Sequence, residues 1–186
     1  MRVITLHDKE LLLCCERLAK QICDSHFSPD LILGVKTGGE EIARIVNRVL
    51  GENKCKLEFC HPVRESTDNK KKYLKKYLKR LPVSILNILR ILEAKFFFVK
   101  KSRKKFKRIE LPNDIGDSKK ILIIDDAVDS GASLFHIMHA IRVINPFADI
   151  KTAVITLTNR HAIIKPDFMI FNNNTLVRFP WSEDAK

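Results

Sequence analysis

Residues 121–134, ILIIDDAVDSGASL, form the most informative stretch of this 186-residue chain. Four apolar residues precede the acidic pair Asp125-Asp126, and a short loop containing Gly131 then leads into a helical pattern. The unpaired backbone N–H groups and the dipole of a helix N-terminus favour an anion such as phosphate. Ser130 and Ser133 add hydroxyl donors to this loop. The stretch therefore predicts a strand, a phosphate-binding loop and a helix.

The acidic pair indicates that the bound phosphate belongs to a sugar. Two carboxylates are poor phosphate ligands, but they readily accept hydrogen bonds from the hydroxyl groups of a sugar whose phosphate lies in the loop. The stretch has neither G-x-x-x-x-G-K-[ST] nor G-x-G-x-x-G, so it is not a nucleotide P-loop or a dinucleotide fingerprint. A metal or phosphoacceptor site, as in response regulators, and a purely structural turn are the alternatives.

The flanking sequence predicts a parallel α/β sheet. Apolar residues at helical spacing predict helices over residues 8–24 and 133–144, and a third around residues 42–49 that stops near Gly51. Strands are predicted at residues 3–6, 31–35, 54–62, 120–124, 151–157 and 168–171. Alternation of strands with helices is typical of a parallel sheet with helices on both faces, whose ligands bind beyond the carboxyl ends of the strands.

Composition favours a soluble cytoplasmic protein. Hydrophobic residues make up 45% of the chain, no apolar run is long enough to span a bilayer, and the N-terminus lacks the apolar core of a secretory signal. The cysteines are five in number and form no CxxC pair, so the sequence indicates neither a disulfide framework nor a zinc site. They are Cys14, Cys15, Cys23, Cys55 and Cys60.

The net charge of +12 is concentrated in residues 69–108, which hold 16 Lys/Arg and one acid, leaving 18 basic and 21 acidic residues elsewhere. Within this segment lysines oppose an apolar helical face of Tyr73, Leu74, Tyr77, Leu78 and Leu81. Three interpretations remain open. The segment could cover an anionic substrate and pack in a dimer, lie on the anionic inner face of a membrane, or bind RNA phosphates.

The signature stretch resembles that of the type I phosphoribosyltransferases, in which an apolar strand and an acidic pair precede Thr/Ser-Gly-x-Thr/Ser. SPDLILGVKTGG is similar to the diphosphate loop of the hypoxanthine/xanthine/guanine members, and KPDFMIF…LVRFPW to the segment that completes their base pocket. The resemblance covers residues 1–61 and 119–186. It implies one phosphoribosyltransferase domain, an α/β parallel-sheet core of residues 1–61 and 116–186, with a basic, partly helical hood insertion at 62–115.

This resemblance implies Mg²⁺-dependent transfer of the 5-phosphoribosyl group from phosphoribosyl diphosphate (PRPP) to a nucleobase-like acceptor. The broad apolar faces of the basic helical segments favour a homodimer. Asp125 and Asp126 would bind the ribose hydroxyls, Asp126 would also approach the metal through water, and Asp129 would be the general base. The 5-phosphate would contact Ala127, Val128, Asp129, Ser130, Gly131, Ala132 and Ser133. The diphosphate would contact Lys36, Thr37, Gly38 and Gly39, with a cis Lys36–Thr37 peptide bond. The base would contact Leu176, Val177, Phe179, Trp181 and Lys165.

The chain departs from the purine-specific pattern at several positions. Thr37 stands where those members usually have Arg or Lys, which makes GVKTGG more similar to the loop of the RNA-binding pyrimidine-operon attenuators. Leu176 stands where an aromatic side chain is expected. Asp129 itself could be a helix cap rather than a base. The sequence therefore leaves three functions open: transfer to a 6-oxopurine, transfer to a lipid-linked or glycan-pathway acceptor, and non-enzymatic PRPP sensing with RNA binding.

Overall fold

The computed structural model describes residues 2–51, 54–64, 106–172 and 175–182, which form eight strands and three α-helices. In chain order they are β1 (Arg2–Thr5), α1 (Asp8–Asp24), β2 (Leu31–Val35), α2 (Gly38–Leu50), β3 (Lys56–Arg64), β4 (Phe106–Glu110), a 3-10 helix (Asn113–Gly116), β5 (Lys120–Val128), α3 (Ala132–Ile144), β6 (Asp149–Leu157), β7 (Phe168–Asn172) and β8 (Thr175–Arg178).

The main sheet has the strand order β4-β3-β2-β5-β6-β7. Its pairings are parallel except for β3 with β4, which are antiparallel. The chain runs from β2 to β3 on one side and continues with β5 on the other, so the direction of winding reverses between β2 and β5. Such a switch point opens a crevice beyond the carboxyl ends of the two strands. The expected α/β fold with a mostly parallel sheet is confirmed.

The helices cover both faces of this sheet. Leu122 and Ile124 of β5 pack with α1 and α2, whereas Ile121 and Ile123 pack with α3 on the opposite face. All four side chains are fully buried. Burial on both faces explains why the β5 sequence is continuously apolar rather than alternating.

The end of β5 differs from the prediction. A strand ending at Ile124 was expected, but β5 continues through the acidic pair to Val128. Backbone pairing with β6 extends this far, with Asp125 opposite Val154 and Val128 opposite Leu157. The acidic pair is therefore part of the sheet rather than of the loop.

Both ends of the predicted hood belong to the main sheet. Residues 62–64 lie in β3, and residues 106–110 form β4, which pairs with them. The helical pattern around Tyr73, and nearly all of the basic segment, lie outside the described residues. Among those that are described, no helix has the length and apolarity needed to cross a bilayer.

The C-terminal part of the chain returns to the N-terminal strand. β8 pairs in parallel with β1, and the N–H of Leu6 donates to the carbonyl oxygen of Arg178 (2.9 Å). Val177 and Phe179 are buried in the core cluster that also contains α1. This strand pair, which the sequence pattern did not predict, holds residues 179–182 beside the main sheet.

One carboxylate fixes the connection between β6 and β7. Oδ2 of Asp167 accepts hydrogen bonds from the backbone N–H and the hydroxyl group of Thr152, both at 2.8 Å. Oδ1 accepts a hydrogen bond from Nζ of Lys151 at 3.1 Å. Because Thr152 is only 1% exposed, Asp167 satisfies polar groups that water cannot reach.

Candidate active site

A cleft of about 450 Å³ opens at the carboxyl ends of β2 and β5. It is lined by two segments predicted to bind one ligand, residues 36–38 and 125–133, and by Val35, His61, Pro62 and Leu134. The adjacent pairing of β2 with β5, with Gly34 opposite Ile124, brings these two segments together. Of the predicted phosphate, ribose and diphosphate residues, all but Gly39 line this cleft.

The loop before α3 is held in a shape suited to an anion. Gly131 is the N-cap of α3 and has a φ of 77°, a left-handed conformation that L-residues with a Cβ rarely adopt. A Cβ there would lie 2.7 Å from the backbone nitrogen of Ile164. The carbonyl oxygen of Ser130 accepts a hydrogen bond from Ile163 N–H at 3.0 Å, which ties the loop to the segment after β6.

Oγ of Ser130 accepts a hydrogen bond from the N–H of Ala132, the first residue of α3, at 3.4 Å, and the first turn of α3 has no acidic residue. Its terminal N–H groups and dipole therefore suit a phosphate. The alternative role of Asp129 as the helix cap is wrong, because Gly131 occupies the N-cap position. Asp129 instead lines the cleft.

The loop between β2 and α2 contains a cis peptide bond between Lys36 and Thr37, as the resemblance implied. The N–H of Lys36 donates to the carbonyl oxygen of Cys60 in β3 at 2.9 Å. A Cβ on Gly39 would lie 2.4 Å from the carbonyl oxygen of Ile124. The glycine pair thus lets the start of α2 pack directly on β5.

The acidic pair lies where these two segments meet. Oδ1 of Asp125 accepts a hydrogen bond from the N–H of Asp126 at 2.9 Å. Burial raises the pKa of Asp126 above its usual range, although hydrogen bonds from Asp125, from the N–H of Ala127 and from the side chain of Trp181 act in the opposite direction. Asp126 is therefore a largely desolvated carboxyl group whose remaining lone pairs are available to a ligand.

Trp181 reaches this carboxyl group from the C-terminal part of the chain. Its ring stacks on Phe179 with the centroids 5.0 Å apart and the planes inclined by 4°. Phe179 is only 4% exposed. The hydrogen bond by which Trp181 lowers the pKa of Asp126 could not be predicted from sequence, which assigned the tryptophan to the base site.

The other predicted base-binding residues do not line the 450 Å³ cleft. Leu176 and Val177 lie in β8, paired with Val3 and Ile4 of β1, and Lys165 is exposed. A second cavity of about 630 Å³ lies next to the cleft and shares Thr37 with it. Its lining consists of Asp8, Leu11, Thr37, Glu40, Glu41, Ile45, Pro180 and Trp181.

His61 and Pro62 line the cleft but were not identified from sequence. They follow Cys60, which lies opposite Val35 in the parallel pairing of β3 with β2. Parallel strands end at the same edge of a sheet. The residues just beyond the parallel part of β3 could therefore have been predicted from sequence to line the cleft. Nδ1 of His61 lies 3.9 Å from Oε2 of Glu110 in β4.

A family model described as the phosphoribosyl transferase domain matches residues 4–186. No match to a curated protein sequence is significant. The purine phosphoribosyltransferase of Pyrococcus horikoshii Ot3 has a similar structure, with a TM-score of 0.66 and 19% identity, over 98% of this chain and 95% of that chain. The xanthine-guanine-hypoxanthine phosphoribosyltransferase of Helicobacter pylori gives 0.66 and 16%, over 97% of this chain and 94% of that chain.

A hypothetical protein from Neisseria gonorrhoeae with bound ppGpp is also similar, with a TM-score of 0.62 and 13% identity over 97% of this chain and 89% of that chain. At such identities these structures establish the fold, which is that of the type I enzymes. The family model extends over nearly the whole chain, including the segments that line the cleft. The chain therefore belongs to the phosphoribosyltransferase family.

Proposed function

We propose that this protein transfers the 5-phosphoribosyl group of PRPP to a 6-oxopurine base and releases diphosphate. The observation that carries the proposal is the convergence, in one cleft, of a helix N-terminus, an acidic pair and a cis-peptide loop. These groups match, in order, a phosphate, the hydroxyl groups of a sugar and a diphosphate. Membership of the phosphoribosyltransferase family supports the same donor.

The donor would bind with its 5-phosphate at the N-terminus of α3, in contact with the loop of residues 127–133, which includes the hydroxyl groups of Ser130 and Ser133. The ribose hydroxyls would then donate to Asp125 and Asp126. The diphosphate would lie against residues 36–39 at the start of α2, a second helix N-terminus that favours negative charge.

Transfer breaks the bond between the anomeric carbon and diphosphate while a ring nitrogen of the base attacks that carbon. Negative charge grows on the departing diphosphate, where Lys36 and the start of α2 would stabilise it. The sugar ring becomes cationic, and the carboxylates of the acidic pair would stabilise it. Asp129 would accept the proton lost by the attacking nitrogen, a contribution of roughly 10²–10⁴-fold for a general base.

The acidic pair also fits Mg²⁺. Among the described residues no group of three or more His, Cys, Asp or Glu could hold a metal, so a closed protein site is not formed by them. Mg²⁺ commonly needs only one or two carboxylates when substrate oxygens and waters complete its shell. Asp126, through water, and Asp125 would supply that share, and the bound ion would neutralise charge on the diphosphate.

The 6-oxopurine acceptor is supported by Asp129, by the KPDFMIF…LVRFPW resemblance, and by the names of two similar structures, a purine and a xanthine-guanine-hypoxanthine phosphoribosyltransferase. The exposed face of Trp181 and the cavity beside it offer one surface for a base. Leu176, Val177, Phe179 and Lys165 would complete or support the base site. We also propose that the chain forms a single phosphoribosyltransferase domain and that the protein is a cytoplasmic homodimer.

A second candidate function is non-enzymatic PRPP sensing coupled to RNA binding. The concentration of positive charge in residues 69–108 favours it, because far more charge is present than one small substrate requires. The same charge is compatible with an anionic membrane surface and a lipid-linked or glycan-pathway acceptor. Asp129 favours the enzyme, since a sensor needs no general base.

The deciding experiment supplies PRPP, Mg²⁺ and one of hypoxanthine, guanine, xanthine, adenine or uracil, and measures diphosphate release. We expect turnover with at least one 6-oxopurine and little with uracil. PRPP binding without turnover on any base would refute the enzyme and favour the sensor. RNA and anionic liposomes, added at low and high salt, then test the basic segment. Omission of Mg²⁺ tests the metal requirement.

A further inference from the structure

We infer that the outward face of α3 is the surface through which two copies of this chain pair, with their α3 helices antiparallel and a two-fold axis at His139. The inference rests on the homodimer in the proposed function and gives that dimer an interface. It places the interface on α3 rather than on the basic segment of residues 69–108. Transfer of the phosphoribosyl group does not depend on it.

The outward face of α3 lacks the charges that a solvated helix usually has. Leu134, Ile137 and Ile141 are buried on the sheet side, so the opposite side of the helix points away from the sheet. A helix on the surface of a globular protein normally has charged residues on that side, as α1 and α2 do. In the sequence of α3, by contrast, the only Asp, Glu, Lys or Arg is Arg142.

Arg142 is engaged with the turn that follows its own helix. Its guanidinium donates hydrogen bonds to the carbonyl oxygens of Pro146 (2.9 Å) and Ala148. The turn therefore holds Phe147, which is 95% exposed, just beyond the end of α3. A phenylalanine ring fixed in water in this way is typical of a surface that another molecule covers.

Exposed apolar side chains form a single row along α3. Phe135, His139 and Val143 are four residues apart, a spacing that places them on one side of the helix. The rings of Phe135 and His139 stack with their centroids 6.4 Å apart, and Val143 is 71% exposed. These three residues, with Phe147 at one end, are called the α3 row below.

The other end of the α3 row is completed by Ile163, which is also exposed. A Cβ on Gly131, the N-cap of α3, would lie 3.3 Å from Cγ1 of Ile163. The N–H of Ile163 donates to the carbonyl oxygen of Ser130 at 3.0 Å, which fixes the isoleucine beside the start of the helix. The row thus extends over the whole length of α3, whose 13 residues span about 20 Å.

The α3 row is symmetric about His139. When two such helices are antiparallel with a two-fold axis at this residue, Phe135 of each copy faces Val143 of the other. Ile163 then faces Phe147 across the same interface. A two-fold interface requires a surface that is complementary to itself, and this row meets that requirement because each exposed apolar side chain faces another.

The charges beside the two ends of the row favour the same arrangement. The segment of residues 159–165, beside the N-terminal end, contains Arg160 and Lys165, both exposed, and no acid. Beside the C-terminal end, Asn145 donates to the carbonyl oxygen of Ser118 at 2.7 Å, which brings the segment of residues 117–119 there.

Exposed acids therefore lie at the C-terminal end of the row, among the bases Lys119 and Arg142. They are Asp117 and Asp149. An antiparallel second copy brings these acids to the basic end of its partner. The basic segment of residues 69–108 contains one acid and cannot supply them, whereas an anionic membrane surface would repel them.

The test compares the wild type with Val143→Glu and Val49→Glu by sedimentation equilibrium of the full chain. Both valines are exposed and each is the next-to-last residue of its helix, but Val49 belongs to α2 and lies outside the α3 row. We expect the wild type and Val49→Glu to dimerise equally. Val143→Glu should raise the dimer dissociation constant by about 100-fold or more, because a two-fold interface contains the substitution twice.

A Val143→Glu protein that dimerises as tightly as the wild type would overturn the inference and leave the homodimer intact. A monomeric wild type would overturn both, while diphosphate release tests the transferase independently. Two further results would also overturn the inference. In one, Val143→Glu loses only binding to anionic phosphatidylserine vesicles; in the other, it loses only thermal stability, because the same chain covers the row.

If Val143→Glu does not fold, Phe147→Ser provides the second variant, because this side chain lies beyond the helix and is almost fully exposed. We expect it to weaken the dimer by at least about 10-fold, as for an aromatic side chain in the centre of an interface. Unchanged dimerisation of the folded Phe147→Ser protein would overturn the inference.

The two-fold axis itself is tested by His139→Cys. Packed helices have axes about 8–10 Å apart, which lets two cysteines at the axis form a disulfide. Mild oxidation should therefore link the two copies of this variant. The wild type, with its exposed Cys23, and His161→Cys, at one end of the row, are the controls. Cross-linking of His139→Cys no greater than in these controls would overturn the antiparallel arrangement.

Discussion

Gly38 and Asp126 are in direct contact, because a methyl group on Gly38 would lie 2.0 Å from Oδ2 and 2.5 Å from Cγ of the aspartate. Gly38 is the first residue of α2, and Asp126 lies near the end of β5. The two segments proposed to hold opposite ends of PRPP are therefore packed against each other. A substitution in either segment should therefore weaken the contacts with both ends of the ligand.

We expect Gly38→Ala to impair both donor binding and folding. The new methyl group must displace the Asp126 carboxyl group, and overpacking of this kind costs about 1–3 kcal/mol of unfolding free energy. PRPP affinity should fall by about 10-fold or more, the equivalent of 1.4 kcal/mol. Urea denaturation and calorimetry measure the two effects.

Gly116→Ala is the matched control, because nothing lies within 4 Å of a Cβ added there. It should leave both PRPP affinity and stability close to those of the wild type. A Gly38→Ala protein that binds PRPP with wild-type affinity would show that Asp126 does not need its present orientation.

The local sequence pattern was sufficient to predict the regular helices and strands. The helix predicted at residues 8–24 and the strand predicted at 31–35 have those bounds in the structure, since one amphipathic face and one buried run define them. The end of β5 was predicted wrongly, because two adjacent charges look like a loop. Its continuation depends on pairing with β6, which no local window contains.

In the candidate site, too, local pattern predicted some features and long-range pairing determined the others. Residues 36–38 and 125–133 could be placed at one sheet edge, because both follow or end parallel strands and such strands share an edge. The contact of Trp181 with Asp126 could not be foreseen. It requires the pairing of β8 with β1 and the turn at residues 179–182, neither of which has a strong sequence signature.

Asp126→Asn should stabilise the free protein at pH values above the folded pKa of Asp126, while weakening PRPP binding. Burial raises the pKa of Asp126, so the wild type resists its ionisation in the folded state. The folded wild type is therefore most stable, with respect to this group, while Asp126 is protonated. This stability is fully present below the unfolded pKa of about 3.9 and is lost as pH rises through the folded pKa. Asparagine has no charge to bury and avoids this loss.

The gain of Asp126→Asn should therefore be absent near pH 3.5 and reach about 0.5–2 kcal/mol above the folded pKa, the usual range for a single stabilising substitution. Urea denaturation at several pH values measures it. A gain that is constant with pH, or a loss at alkaline pH, would contradict the assigned direction of the pKa shift.

Asp129→Asn should lower kcat by roughly 10²–10⁴-fold if Asp129 is the general base. PRPP affinity should change much less, because the proton is transferred only during the reaction. The control is Asp117→Asn, an exposed aspartate just before β5, at the opposite edge of the sheet from the cleft. Wild-type kcat in Asp129→Asn would refute the role as base.

Asp167→Ala should be strongly destabilising without altering the site. It leaves the N–H and hydroxyl of Thr152 without their acceptor, although Thr152 is almost fully buried. Each unsatisfied buried group costs about 1–3 kcal/mol, so we expect a loss of about 2–4 kcal/mol. Thermal or urea unfolding measures this loss.

Lys151→Ala separates the buried hydrogen bonds from the ion pair on the same aspartate. The hydrogen bond and charge of Asp167 raise the pKa of Lys151, but this pair is substantially exposed, so it contributes at most about 1 kcal/mol. The lysine variant should therefore lose much less stability than Asp167→Ala. Equal losses in the two variants would mean that the ion pair, rather than the acceptor role toward Thr152, joins β6 to β7.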